Sequence, residues 1–118
     1  MTKATKGKVK RRSRTRLSKA QLDRLVEEAV VDCYNESEQR VGLYTMIEGN
    51  LALPFETKVL GVPVIVERVD LTQSEEIVAV CRRAGVRQAI PILDLPLPSP
   101  RPSGAQWIDA YRYWVGGG

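Results

Sequence analysis

The sequence predicts a single α+β domain in which two N-terminal helices precede a small antiparallel four-stranded barrel of SH3-like type, or an open four-stranded sheet, and a C-terminal helix follows. Three observations predict this class. Apolar residues recur at helical spacing from Leu22 to Cys33. After Phe55 the chain becomes rich in Val and Ile with the alternation typical of strands. An aromatic stripe at helical spacing then covers residues 107–114.

The first predicted helix covers residues 18–34, and Ser18 is its N-cap. Asn35 or Ser37 then caps a second helix. Glu38 lies three residues after Asn35, which is the spacing of a capping box. We expect this second helix to end near residue 48, with Gly49 as its left-handed stop.

Four strands are predicted at residues 55–60, 62–71, 76–83 and 86–93, with a tight turn at Ala84 and Gly85 between the last two. A proline-rich strap at residues 95–104 follows and must lie on the body, because the remaining chain is too short to fold alone. Ser103 and Gln106 are spaced as a capping pair for the final helix. Its aromatic stripe predicts a buried face.

The charge divides the chain into two regions. Residues 1–19 hold nine cations and no acid, whereas residues 20–118 hold nine cations and fourteen acids, a net charge of −5. We therefore expect a disordered basic arm at residues 1–17 and a folded acidic domain at residues 18–115. No apolar stretch is long enough to span a bilayer or to act as a signal peptide, so we expect a soluble, cytoplasmic protein. The alternative for the basic start is an organellar transit peptide, although it lacks the amphipathic apolar face of one.

The composition also argues against catalysis. The chain has no histidine, which excludes Ser-His-Asp and Cys-His nucleophiles and His-ligated zinc. Its two cysteines are too few for a four-thiolate metal site or a disulfide scaffold. Neither a glycine-rich phosphate loop nor a nucleophile elbow is present. We expect a protein that is not an enzyme.

Acidic residues concentrate around the junction between the first two helices. Glu28, Asp32 and Glu36 are spaced by four, so a helix continuing through residue 36 would place them on one face. One interpretation is a salt-bridged ladder in which Arg24 pairs with Glu28 and Arg40 with Glu36. The other is a divalent-cation site, because calcium prefers carboxylate and amide oxygens. Its ligands would be Asp32, Asn35, Glu36 and Glu38.

A second acidic segment, residues 70–76, begins like a calcium loop, with oxygen-bearing side chains at alternate positions that include Asp70 and Glu76. Neither segment is an EF-hand, because the glycine at position six and the glutamate at position twelve are missing from both. A polar turn between strands is the preferred interpretation here. Asp70 and Glu76 are less favoured metal ligands.

Two separated motifs resemble the small bacterial calcium-binding proteins of the CcbP type. They are VDCYNESEQRVGLYTMIEGNLALPF at residues 31–55 and WIDAYRYW at residues 107–114. The resemblance implies an α+β domain that binds Ca²⁺ through surface carboxylates, in calcium buffering or signalling. The positions that match the family's acids are Asp32, Glu36, Glu38 and Glu48. Asn35 stands where the family pattern carries an acid.

The basic arm supports an alternative function, the binding of nucleic-acid phosphates. Such contacts would give a salt-dependent affinity without sequence specificity. The arm has no aromatic residue for stacking on bases. Two other interpretations of the arm are a solvated tail and an arm that folds back onto the acidic domain, where it competes with cations. The candidate phosphate-binding residues are Lys8, Lys10, Arg11, Arg12, Arg14 and Arg16.

Overall fold

The computed structural model describes residues 17–117 and has the predicted α+β order of elements. The helices are α1 (Lys19–Ala29), α2 (Glu36–Asn50) and α3 (Gln106–Val115), with a short 3₁₀ turn at Ile92–Asp94. The strands are β1 (Phe55–Val59), β2 (Val62–Leu71), β3 (Ile77–Arg83) and β4 (Val86–Pro91). They form one antiparallel meander in the order β1-β2-β3-β4.

The sheet is open, so the barrel alternative is wrong. Within the described residues, β1 pairs only with β2 and β4 only with β3, which leaves both outer strands as edges. The helices supply the cover that closure would otherwise give: α2 packs on β2, and α1, α2 and α3 pack against one another. The largest fully buried side chains lie in the hydrophobic core that the helices and the sheet share. They are Leu43, Ile47, Val66, Ile77 and Ile92.

Helix α1 begins where predicted but ends early. Ser18 and Gln21 form a reciprocal capping box, with N···O distances of 3.1 and 2.8 Å. The helix stops at Ala29 and residues 30–32 form a turn, in which Asp32 adopts a left-handed φ of 64°. A left-handed residue cannot continue a right-handed helix. The predicted extension to residue 34 is therefore wrong.

Asn35 caps α2 as predicted, because its side-chain oxygen accepts a hydrogen bond from the Glu38 N–H at 2.8 Å. The Glu38 carboxylate returns one residue further, to the Tyr34 N–H at 2.6 Å. Gly49 is not the stop. It lies inside the helix, which ends at Asn50, and the following Leu51 turns into an extended conformation that buries its side chain in the core.

The hairpin between β3 and β4 turns where predicted. Ala84 and Gly85 both have positive φ, as do Leu60 and Gly61 in the turn between β1 and β2. The predicted fourth strand is two residues too long, because the chain turns into the 3₁₀ segment after β4. A register shift between Val66 and Arg68 interrupts the pairing of β2 with β3.

The proline-rich strap lies on the body and leads into α3. Thr57 donates to the Pro96 carbonyl at 2.7 Å, and the Ala52 N–H donates to the Ser103 carbonyl at 2.8 Å. The predicted capping by Ser103 is wrong, because Ala105 precedes the helix and no side chain caps it. The aromatic face is buried as predicted, with Trp107 only 5% exposed.

Gly42 allows α2 to approach the end of α1. A Cβ at this position would lie 2.3 Å from the Ala29 carbonyl oxygen, which is far inside contact distance. We expect Gly42→Ala to lower the free energy of unfolding by about 1 to 3 kcal/mol, because the helices must separate. Denaturant midpoints followed by circular dichroism measure this change.

Gly49→Ala is the matched control in the same helix, since a Cβ there meets nothing within 4 Å. Its higher helix propensity should raise stability by up to about 1 kcal/mol. Equal midpoints for the two variants would contradict the close approach at Gly42.

Candidate functional site

The turn between α1 and α2 presents several oxygen atoms to solvent. Asp32, Asn35, Glu36 and Glu38 are all exposed. Two of the four side chains already accept hydrogen bonds from the backbone: Asn35 from the Glu38 N–H, which caps α2, and Glu38 from the Tyr34 N–H. Each of these side chains still has oxygen lone pairs that its one hydrogen bond does not use.

The predicted ladder along one helix face is not present. Because α1 ends at Ala29 and the chain turns at Asp32, Glu28, Asp32 and Glu36 belong to different segments. Within residues 17–117 the ion pair between Arg24 and Glu28 does not form. The other predicted pair does form, with Arg40 Nη2 lying 3.4 Å from Glu36 Oε2.

Glu75 brings the second acidic segment to the start of α2. Ser37 Oγ donates to Glu75 Oε2 at 2.7 Å, although the two residues are 38 positions apart in the sequence. Arg40 Nη1 lies 3.5 Å from the other oxygen, Glu75 Oε1. Arg40 is therefore shared between Glu36 and Glu75. Glu75 is not among the site residues predicted from the sequence, since its only signal there is its place inside an acidic loop.

The loop that carries Glu75 is held in shape by Thr72. The Thr72 N–H donates to the Glu76 carbonyl at 2.9 Å, and the Thr72 hydroxyl accepts from the Glu76 N–H at 3.0 Å. Glu75 itself has a left-handed φ of 66° and donates its N–H to the Thr72 carbonyl. This tight loop supports the predicted polar turn between strands and directs Glu75 toward α2.

Glu48 and Asp70 lie near a second place, around the Tyr44 side chain. The Tyr44 hydroxyl donates to the Val69 carbonyl at 3.3 Å. Burial raises the pKa of Tyr44, and the negative charges of Glu48 and Asp70 raise it further. Asp70 also pairs with Arg68 at 3.1 Å. Glu48 is about 18 Å along the axis of α2 from Glu36, which separates it from the helix junction.

The donor chemistry at the junction fits calcium, which takes carboxylate and amide oxygens together with water. The junction does not form a ready-made cage. In the part of the chain from 17 to 117, no three acidic or cysteine side chains converge closely enough to enclose a metal ion. An ion at the junction would therefore rely on water for part of its coordination.

Two further predictions concern binding to nucleic acids and to membranes. The candidate phosphate-binding residues lie outside the described residues, as does almost all of the predicted basic arm. They are Lys8, Lys10, Arg11, Arg12, Arg14 and Arg16. Among the helices at residues 17–117, none combines the length and apolar character needed to cross a membrane.

Comparison with known proteins identifies a family. The family model Calci_bind_CcbP, described as calcium binding, matches residues 23–115. That range includes the last seven residues of α1, all of α2, the whole sheet and α3. The search of curated proteins and the search of solved structures each returned no match. The family is one of calcium binding rather than catalysis, and its ion is Ca²⁺. The chain thus belongs to the CcbP family of calcium-binding proteins, as its two motifs predicted.

Proposed function

We propose that this chain binds Ca²⁺ reversibly at the α1–α2 junction, in calcium buffering or signalling. The proposed ligand set, which we call the junction site, consists of side chains from the turn, the first helical turn of α2 and the β2–β3 loop. Its candidate ligands are Asp32, Asn35, Glu36, Glu38 and Glu75. No three carboxylates converge on one point within residues 17–117, so an ion would bind directly to only some of these side chains and otherwise to water. The match to a calcium-binding family supports the choice of ion, and the exposed oxygen atoms support the choice of place.

One observation carries the location. Glu36 and Glu75 come from segments far apart in the chain, yet both contact the guanidinium of Arg40. Because Glu36 and Glu75 both pair with Arg40, their carboxylates already stabilise a positive charge at one place. The Thr72 loop and the Ser37 hydroxyl hold Glu75 at this position.

Exposure and local charge predict a modest affinity. Solvated carboxylates attract an ion less strongly than buried ones do, because water weakens the attraction between charges. The N-terminus of α2 carries the positive end of the helix dipole, and Arg40 adds a full positive charge beside the same oxygen atoms. We expect a Kd on the order of 10⁻⁵ to 10⁻³ M, in the range of sensors and weaker sites. An affinity in this range is closer to that of sensors than to that of the tight sites of cytosolic buffers.

Glu48 and Asp70 define a second proposed place, around Tyr44. The charges of these two carboxylates both raise the pKa of the Tyr44 phenol. Glu76, the other less favoured ligand, lies in the loop that follows β2. We rank this place behind the junction site, because only the carboxylates of Glu48 and Asp70 are linked to Tyr44, whereas the junction gathers more exposed oxygen-bearing side chains.

Calorimetric titration with CaCl₂ tests the junction site, with MgCl₂ as the ion control. We expect the double variant Glu36→Gln, Glu75→Gln to bind calcium about tenfold more weakly than the parent, because affinity follows the number of charged ligands. Asp32→Asn should also weaken binding while leaving the fold intact, since Asn tolerates the left-handed φ at this position.

The charge-matched control is the double variant Glu56→Gln, Asp94→Asn. Both acids are exposed, and they lie on β1 and the 3₁₀ turn, away from the junction elements. Its calcium affinity should change by less than about twofold, because exposed charges beyond a Debye length are screened. If the junction variant binds as tightly as this control, the junction site is wrong and the place around Tyr44 becomes the candidate.

A further inference from the structure

Arg40 is unusually constrained for a charged residue near the start of a helix. Its side chain is 22% exposed, and its guanidinium contacts Glu36 at 3.4 Å and Glu75 at 3.5 Å. The carbon at the centre of the same guanidinium lies 5.0 Å from the ring centroid of Trp114. Arg40 therefore connects two carboxylates of the junction site to an aromatic ring of α3.

Trp114 is itself held in place. Its indole N–H donates to Gln39 Oε1 at 3.0 Å, across 75 positions of sequence. Its ring stacks on Tyr111, with centroids 6.1 Å apart and an interplanar angle of 21°. The ring thus gives the Arg40 guanidinium a fixed surface, so a change at Arg40 alters the surroundings of one defined indole.

We propose that Arg40 is a built-in cation that competes with Ca²⁺ for Glu36 and Glu75, and that calcium binding displaces its guanidinium from these carboxylates and changes the environment of Trp114. This inference rests on the proposed junction site. It identifies Arg40 as a residue that lowers the calcium affinity of that site. It also explains how binding of the ion would alter contacts between α2 and α3.

The competition follows from charge and from shared lone pairs. Arginine remains protonated at any physiological pH, so Arg40 can leave the carboxylates only by moving. A Ca²⁺ ion using the same oxygen atoms would repel the guanidinium at contact distance. Exposed ion pairs contribute little to stability, and a divalent ion can therefore replace them at accessible concentrations.

Calorimetry on Arg40→Gln tests the competition. We expect this variant to bind Ca²⁺ about three- to tenfold more tightly than the parent, since two weak ion pairs no longer have to be broken. Arg82→Gln is the matched control, because Arg82 pairs with Glu67 on the sheet and its loss changes the net charge equally. That control should stay within about twofold of the parent, since screening weakens distant charges.

Tryptophan fluorescence tests the displacement. The chain has two tryptophans, so Trp107→Phe leaves Trp114 as the only indole emitter. We expect its emission to shift during a calcium titration, with a midpoint equal to the calorimetric Kd, and to lose that shift when Arg40→Gln is added. Should Trp107→Phe fail to fold, Trp114→Phe in the parent serves instead, and it should abolish the calcium-dependent change.

Failure of this inference differs from failure of the junction site. If Arg40→Gln binds calcium no more tightly than Arg82→Gln, or binds it more weakly, while Glu36→Gln, Glu75→Gln still weakens binding, then Arg40 is not a competitor although the site stands. If the double carboxylate variant has no effect, both proposals are wrong. Calcium binding that becomes measurable only in Arg40→Gln would support the competition directly.

Discussion

Trp107→Ala is expected to lower the free energy of unfolding by about 3 to 5 kcal/mol, a large part of the stability of a domain of this size. Trp107 is 5% exposed in the first turn of α3 and belongs to the main hydrophobic cluster. Ile108 and Ala110 of the same helix are buried in the same cluster, so we expect the core to collapse only partly into the vacated volume. The loss therefore combines the transfer of a large apolar surface to water with an unfilled cavity.

Denaturant unfolding followed by far-ultraviolet circular dichroism measures this effect. Val115→Ala at the last position of α3 is the control, because Val115 is 50% exposed. Its free energy of unfolding should change by no more than about 0.5 kcal/mol, as for other surface substitutions. A Trp107→Ala shift as small as that of the control would mean that α3 is not docked on α1, α2 and the hydrophobic core.

Arg101→Met is expected to lower the free energy of unfolding by about 2 to 3 kcal/mol. Asp109 is buried in the first turn of α3 at 7% exposure, and both of its carboxylate oxygens accept from Arg101, at 3.0 and 2.7 Å. Removing the guanidinium leaves this carboxylate without its charged partner. Because the Arg101 side chain is 36% exposed, water enters more easily than at a fully enclosed pair, and the expected loss is smaller than for such a pair.

A double-mutant cycle separates the pair from its surroundings. Asp109→Asn should cost less than Arg101→Met, because Arg101 can turn its charge to solvent. The double variant should be more stable than the sum of the two single changes predicts, since no buried charge remains unpaired. Additive changes would show that the strap is not held to α3 through this ion pair.

The local features of the chain were readable from the sequence. Ser18 and Asn35 cap their helices as predicted, because capping depends on residues only three positions apart. The strands and the aromatic face of α3 also follow from periodicity, which a sequence carries directly. Membership of the calcium-binding family was readable in the same way, from two motifs in order.

Only the tertiary structure decided where α1 ends and whether the sheet closes. The apolar pattern of α1 continues to Cys33, but the left-handed turn at Asp32 ends the helical face, and α2 packs back across Gly42. The strand pattern fits an open sheet and a barrel equally well. What excludes closure is that the helices occupy the face that a barrel would bury.

The candidate site shows the same division. Sequence alone identified Asp32, Glu36 and Glu38 as carboxylates near one turn, whereas the packing of α2 on the sheet brought Glu75 to Ser37 and Arg40 of α2. The packing of α3 on α2 likewise placed Trp114 over Arg40. Contacts across 38 and 75 positions depend on how whole elements pack. Local periodicity determines which face of an element is apolar, but not which distant side chain will meet its polar edge.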